Sequence, residues 1–239
     1  MALGVKVLRS LPDKATCNFL LEWYFEKCHE CAFHKPSVME TASSIWTTFG
    51  KKLKESPRLD DLEEISAILC KNNETALPEF EDYKPWLDSF TGMKMRWESL
   101  GSVFAALTTA TLSLPERDAF FCTQRGARSN RKQFAVEMKD CVQACVTLSN
   151  YQDLINMQMV SLLVKNLILQ TVISGDTSKL LISILSSITD NLHRFVSLEA
   201  TWGPRECIDS SWTAPRSRKP VNIICLGNEE THIHHRFQH

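Results

Sequence analysis

No stretch of this sequence holds about eighteen consecutive apolar residues, so nothing in it reads as a transmembrane helix and no membrane partner is expected. The most apolar segment, Met157 to Ile173, is interrupted by Lys165, Asn166 and Gln170 and reads instead as a buried helix. Glycine is scarce, with eight in 239 residues, and alternating apolar–polar runs are nearly absent. Both features exclude a sheet protein. An excess of one charge is lacking too: 27 basic and 28 acidic side chains leave a formal net charge of -1. A protein that neutralises many phosphates shows a basic excess or stripe, so no direct DNA binding is expected from this chain alone. Enzyme signatures are also missing: there is no G-x-S-x-G, no P-loop, no G-x-G-x-x-G and no H-E-x-x-H. The chain is therefore read as a non-enzyme, with no catalytic, cofactor-binding or metal-ligating residue assigned and no cofactor. The opening MALGVKVLRSLPDK has neither a long apolar core nor a cleavage site, so no secretory signal is expected.

What the chain does contain is helical periodicity. Val38, Ala42, Ile45, Trp46, Phe49 and Leu53 recur at spacings of three and four and share one face. Ser37 and Glu40 stand in capping-box register before this stripe, and Pro36 sets a break at Lys35. A second box opens at Asp60 with Glu63, ahead of Leu62, Ile65 and Leu69. Phe134, Met138, Cys141, Val142, Cys145 and Leu148 form another stripe, as do Leu181, Ile184, Leu185, Ile188, Leu192 and Phe195. Between the last two helices, Gly175 supplies a helix stop and Asp176 or Thr177 a new cap, a pattern that predicts a tight helical hairpin. Loops are expected near 54–60, 71–78, 114–118 and 125–131. No internal repeat is present. The fold class is all-α, an irregular bundle of about seven or eight helices. Residues 1–14 form an N-terminal segment, 15–202 the helical domain, and 203–239 a polar, disordered tail with Pro204, Pro215 and Pro220.

Several clusters invite a sharper reading. Cys28, Cys31 and His34 fall three apart, a spacing that suits metal ligands on one helix face. Zinc needs four such ligands, and no second C-x-x-C follows, so small buried cysteines are the better account. The nine cysteines are odd in number and irregular in spacing, which excludes a disulfide framework and points to a reducing compartment. Arg125, Arg128, Arg131 and Lys132 form a short basic run, read as a solvated loop before a helix rather than a phosphate contact or an import signal. His232, His234, His235 and His239 belong to the polar tail and are not assigned a metal. Asp60, Asp61, Glu63 and Glu64 sit at a helix start, where carboxylates favour the helix dipole. Asp88 and Asp190 stand singly and make no acidic metal motif.

Three segments in order carry a family resemblance. Leu21-Glu22-Trp23-Tyr24-Phe25-Glu26, followed by Cys28-His29 and His34-Lys35-Pro36, is the first. Arg96-Trp97-Glu98-Ser99-Leu100-Gly101 through Phe104-Ala105, then Ser113-Leu114-Pro115, is the second. Gly175-Asp176-Thr177-Ser178 with Leu192-His193-Arg194 is the third. Together they resemble the fungal-specific regulatory, or middle homology, region of zinc-cluster transcription factors, over roughly 17 to 202. The resemblance implies a helical, nuclear regulator of transcription that works through protein contacts, with full-length regulators as dimerisation partners and a small-molecule effector as a further expectation. It implies packing and turn roles for His34, Pro36, Gly175 and Asp176, and no catalytic residue. No six-cysteine basic segment occurs here, and the similarity stops near Trp202, so the chain reads as a regulatory region without its DNA reader and truncated at its C-terminal side. The alternative is a small helical enzyme or ligand-binding protein of a biosynthetic pathway, with tryptophans lining a pocket between helices.

Overall fold

The structure, a computed structural model, describes residues 2–27, 35–53, 56–77, 82–115, 131–149 and 156–174. Among these residues there are eight α-helices and no strand. They are α1 (Ala2–Arg9), α2 (Lys14–Lys27), α3 (Lys35–Phe49), α4 (Leu59–Asn73), α5 (Tyr83–Asp88), α6 (Trp97–Ser113), α7 (Arg131–Leu148) and α8 (Met157–Ser174). A short 3-10 turn, Gly92–Lys94, leads into α6. The all-α expectation and its number of helices hold. Outside the described residues lie the Cys28–His34 cluster, Arg125 and Arg128, Asp190, the 175–178 turn with the Leu181–Phe195 stripe, the tail at 203–239, and its histidines.

α6 is the axis of the fold. From Trp97 to Thr108 every residue is buried, and the helix touches α2, α3, α4, α7 and α8. A helix buried all round should be apolar all round, yet α6 carries three serines and three threonines. Most of their hydroxyls turn back onto the helix itself. Ser102 donates to the Glu98 carbonyl at 2.9 Å, Thr108 to Phe104 at 2.8 Å, Thr109 to Ala105 at 2.9 Å and Thr111 to Leu107 at 2.7 Å. Each then offers its neighbours only carbon, which removes the penalty of burying an unpaired hydroxyl.

Two glycines let backbones approach. A Cβ on Gly101 would sit 2.7 Å from Leu162 Cδ2 and 2.9 Å from Cys145 Cβ, so α7 and α8 close on α6 at that point. A Cβ on Gly4 would run into Ser66 Oγ and Trp97, so α1 lies against α4 and the head of α6. Val5, Val7 and Leu8 of α1 join the same core as the rest of the helices.

The apolar stripes sit as their spacing predicts. Val38, Ala42, Ile45, Phe49 and Leu53 are buried, with Trp46 packed beside them. Leu62, Ile65 and Leu69 are buried from α4, and Met138, Cys141, Val142 and Cys145 from α7. The helix starts differ from expectation. Lys35 and Pro36 are the first two residues of α3, so the helix begins at Lys35 rather than after Pro36. Proline fits a first turn because its missing N–H has no partner to lose there. Ser37 is therefore a buried first-turn residue, inside the helix rather than before it, whose carbonyl accepts the Thr41 hydroxyl at 2.7 Å. α4 begins at Leu59, and its cap residue Arg58 makes no side-chain cap bond. Arg58 instead donates to Asp61 at 2.9 Å, and Asp60 and Asp61 occupy the first turn. The expected loops at 54–60 and 71–78 shorten accordingly, because Leu59–Asn73 is helical throughout.

The capping carboxylate that does form is Asp13. It accepts the Ala15 and Thr16 backbone N–H groups at 3.0 and 3.1 Å and the Thr16 hydroxyl at 2.8 Å. Such a cap satisfies orphan donors at the start of α2. Arg131 is the first residue of α7, not part of a solvated loop, and donates to the Leu112 carbonyl at 2.7 Å. Lys132 is exposed in the same turn.

Candidate functional site

The head of α6 carries the most elaborate polar arrangement among the described residues, and it is built on the second resemblance segment. Arg96 and Glu98 are 3% and 1% exposed and form an ion pair, Nε to Oε1, at 2.6 Å. A carboxylate this deep needs every lone-pair direction answered. The same Oε1 accepts Asn156 Nδ2 at 2.8 Å, and Oε2 accepts Asn73 Nδ2 at 2.5 Å. Arg96 spends a second nitrogen on the carbonyls of Asn72 and Thr75, at 2.8 and 2.7 Å. Those carbonyls lie at the C-terminal end of α4, where a cation complements the helix dipole.

Three asparagines complete the node, each bridging two elements. Asn73 accepts the Trp97 backbone N–H at 2.8 Å through Oδ1, giving α6 its first-turn partner. Asn72 donates to the carbonyls of Met93 and Met95, at 2.9 and 2.8 Å, and fixes the approach to α6. Asn156 caps α8 by accepting the Met159 N–H at 3.0 Å while its amide reaches Glu98. One buried carboxylate thus ties the end of α4 and the starts of α6 and α8 together.

Chemically the node is closed. Glu98 already accepts three donors, and Arg96 spans a carboxylate and two carbonyls. The pair therefore holds helices in register, with both side chains buried.

The first two resemblance segments meet in space. Trp23 Nε1 donates to Ser113 Oγ at 2.9 Å, which fastens α2 to the end of α6. Tyr24 is buried, and its ring meets Phe25 edge-on at 4.8 Å. Trp97, Phe104, Ala105 and Leu114 are buried. Lys35, from the same first segment, lies over the Phe25 ring at 5.7 Å.

The described cysteines, Cys17, Cys70, Cys141 and Cys145, are free. Burial, followed by the nearby Asp13 carboxylate, pushes the Cys17 thiol up to about 12. Burial also lifts Cys141 to about 11 and raises Cys145 well above its ordinary value. Thiols held neutral in this way are poor nucleophiles and pack as small hydrophobes. Among the described residues no group of three or more His, Cys, Asp and Glu side chains is placed to hold a metal ion. No helix among them is long and apolar enough to cross a membrane.

Asn72, Asn73, Asn156 and Asp13 carry no resemblance motif and were not singled out from the sequence. Asp13 and Asn156 each stand directly before an apolar helix, which is the usual signal for a capping residue. In comparison with known proteins, the chain matches no family model, no curated protein and no solved structure.

Proposed function

We propose that this chain is a transcription-regulatory module of the fungal zinc-cluster type, nuclear, working through protein contacts without a zinc cluster of its own. The observation that carries this reading is the ordered run of three resemblance segments between Leu21 and Arg194. The middle segment supplies the axis of the fold, and its Arg96, Trp97, Glu98 and Gly101 each have a definite packing or bonding role there. That is the kind of role the resemblance implies for such positions: they hold a scaffold and perform no chemistry. A buried polar node whose carboxylate already accepts three donors fits a scaffold better than a reaction centre.

The expected setting is the control of a secondary-metabolite gene cluster, with a full-length regulator as partner. The test is co-expression with such regulators and a reporter driven by their target promoters. A change in reporter output, together with nuclear accumulation of a tagged chain, supports the proposal. Unchanged output with every regulator tried, and a chain that stays outside the nucleus, would remove it.

A further inference from the structure

Nine prolines punctuate the chain, and only one follows a serine or threonine: Pro57, after Ser56. The dipeptide stands between α3 and α4, directly ahead of Arg58 and Leu59. Ser56 is exposed, and the Arg58 side chain is 78% exposed. The backbone here is open. The chain bends at Ser56, is neither helix nor strand at Pro57, and is extended at Arg58, with φ −69° and ψ 150°. Proline fixes its own φ at about −65° and disfavours helical backbone at the residue before it. α4 anchors the far end, since the Arg58 carbonyl accepts the Leu62 N–H at 3.2 Å. Other exposed hydroxyl residues lack this setting: Ser43 and Thr47 lie within α3, and Thr47 donates to the Ser43 carbonyl at 3.2 Å.

We propose that Ser56 is a phosphate acceptor for a proline-directed serine/threonine kinase. The inference does not depend on the regulator reading. A kinase cleft takes a short stretch of open backbone, which this segment offers and a helix does not. Proline after the acceptor serine brings ring carbons and no N–H, so an apolar pocket at that position strands no donor. Magnesium-ATP supplies the phosphoryl group. Ser56 Oγ bonds to the γ-phosphorus, the bond from that phosphorus to the β–γ bridging oxygen breaks, ADP leaves, and the hydroxyl proton passes to the catalytic aspartate of the kinase. The product has a partner two residues on. Arg58 holds Asp61 by two bonds, Nε to Oδ2 at 2.9 Å and Nη2 to Oδ1 at 3.2 Å. An exposed ion pair of this kind is weakly held. A phosphate carries roughly −1.5 to −2 charges and three acceptor oxygens, so Arg58 exchanges the carboxylate for it. Phosphorylation thereby frees Asp61 beside Asp60 in the first turn of α4.

The test is incubation of the folded full chain with a proline-directed kinase and magnesium-ATP, read by mass spectrometry of the intact and digested protein. The expected result is one phosphoryl group, on Ser56. Ser56→Ala removes it, and Pro57→Ala slows its addition by about tenfold, the effect of stranding one N–H. In the phosphorylated chain, phosphorus-31 resonance follows the second ionisation of the phosphate, whose ordinary value is about 6. The Arg58 guanidinium lowers that value, and Arg58→Gln returns it. A folded chain in which Ser56 stays unmodified would overturn the proposal; a peptide of residues 51–61 modified under the same conditions would then show that the fold withholds the serine. A Pro57→Ala chain modified at the unaltered rate would overturn the assignment to a proline-directed kinase. A phosphate titration that Arg58→Gln leaves unmoved would overturn the exchange with Asp61.

Discussion

α7 and α8 are both eighteen residues long and both pack on α6 around Gly101, yet they meet their surroundings in opposite ways. α7 is an ordinary amphipathic helix: Met138, Cys141, Val142 and Cys145 face inward, while Lys132, Glu137 and Asp140 are exposed. α8 leaves Ile168 and Val172 exposed, while its lysine and an asparagine are buried. Where the two helices meet, Asn166 donates to Gln143 at 2.9 Å and Lys139 to Gln170 at 3.2 Å. A polar seam of this kind adds little stability, and Asn166 Oδ1 is left buried without a partner in it, but its bonds form only in one register. α7 is held by burial, by its share of that seam and by Arg131 on the Leu112 carbonyl. α8 is held by burial, by that seam, and by Asn156 on Glu98. Two neighbouring helices can thus share a core and differ in how their position is specified.

That contrast can be broken, the largest effect first. Glu98→Ala leaves Arg96 buried without its carboxylate and Asn156 without its acceptor; a loss of about 3–5 kcal/mol is expected in urea unfolding. Amide exchange should rise in the first turn of α8 before it rises in α7. Equal loosening of both helices would show that the node does not favour α8. Leu162→Ala removes an α8 side chain that is fully buried over Gly101, with an expected cost of about 3 kcal/mol. Gly101→Ala forces both helices away from α6 and should cost about 2 kcal/mol; an unchanged melting temperature would mean that the crossing has slack. Asp13→Ala removes a cap remote from both helices, and about 1 kcal/mol should be lost with no change in exchange over α7 or α8.

A pH titration sharpens the same comparison. α7 contains Cys141 and Cys145, and α8 contains no cysteine. In the unfolded chain a thiol loses its proton near its ordinary value of 9.0, whereas the folded Cys141 holds it to about 11 and Cys17 to about 12. The folded state therefore binds more protons in that interval, and stability must fall as pH rises from about 9 toward 12. Below pH 9 these thiols are neutral in both states and their contribution is complete. Chemical unfolding at pH 8 and pH 10 should show the decline, and Cys141→Ala should flatten it. A stability that stays level across this range would contradict the burial of these thiols.

The legible part of the fold was the part written in periodicity. The stripes of α3, α4 and α7 could be read because a three-and-four spacing implies a face, and a face implies a core. Helix starts were less legible, since several polar residues compete for each cap. Ser37 with Glu40 and Asp60 with Glu63 both have capping-box spacing, but both pairs lie inside their helices; Asp13, with no glutamate behind it, stands before α2 and caps it. The polar node was the least legible. Arg96 and Glu98 stand out in the second segment, but their partners are 24, 25 and 58 residues away. Nothing in an isolated asparagine says which distant carboxylate it will reach.

The node at Glu98 also bears on the order in which the molecule can be made. A ribosome synthesises the chain from its N-terminus, so Asn73, Arg96 and Glu98 exist before Asn156 does. The interval is 58 residues, roughly three to twelve seconds at ordinary elongation rates. During that interval the carboxylate lacks one donor, and the groove beside Gly101 lacks Leu162. The nascent domain therefore waits, partly solvated at its axis, for a helix still to be translated, and its final closure reports that α8 has arrived.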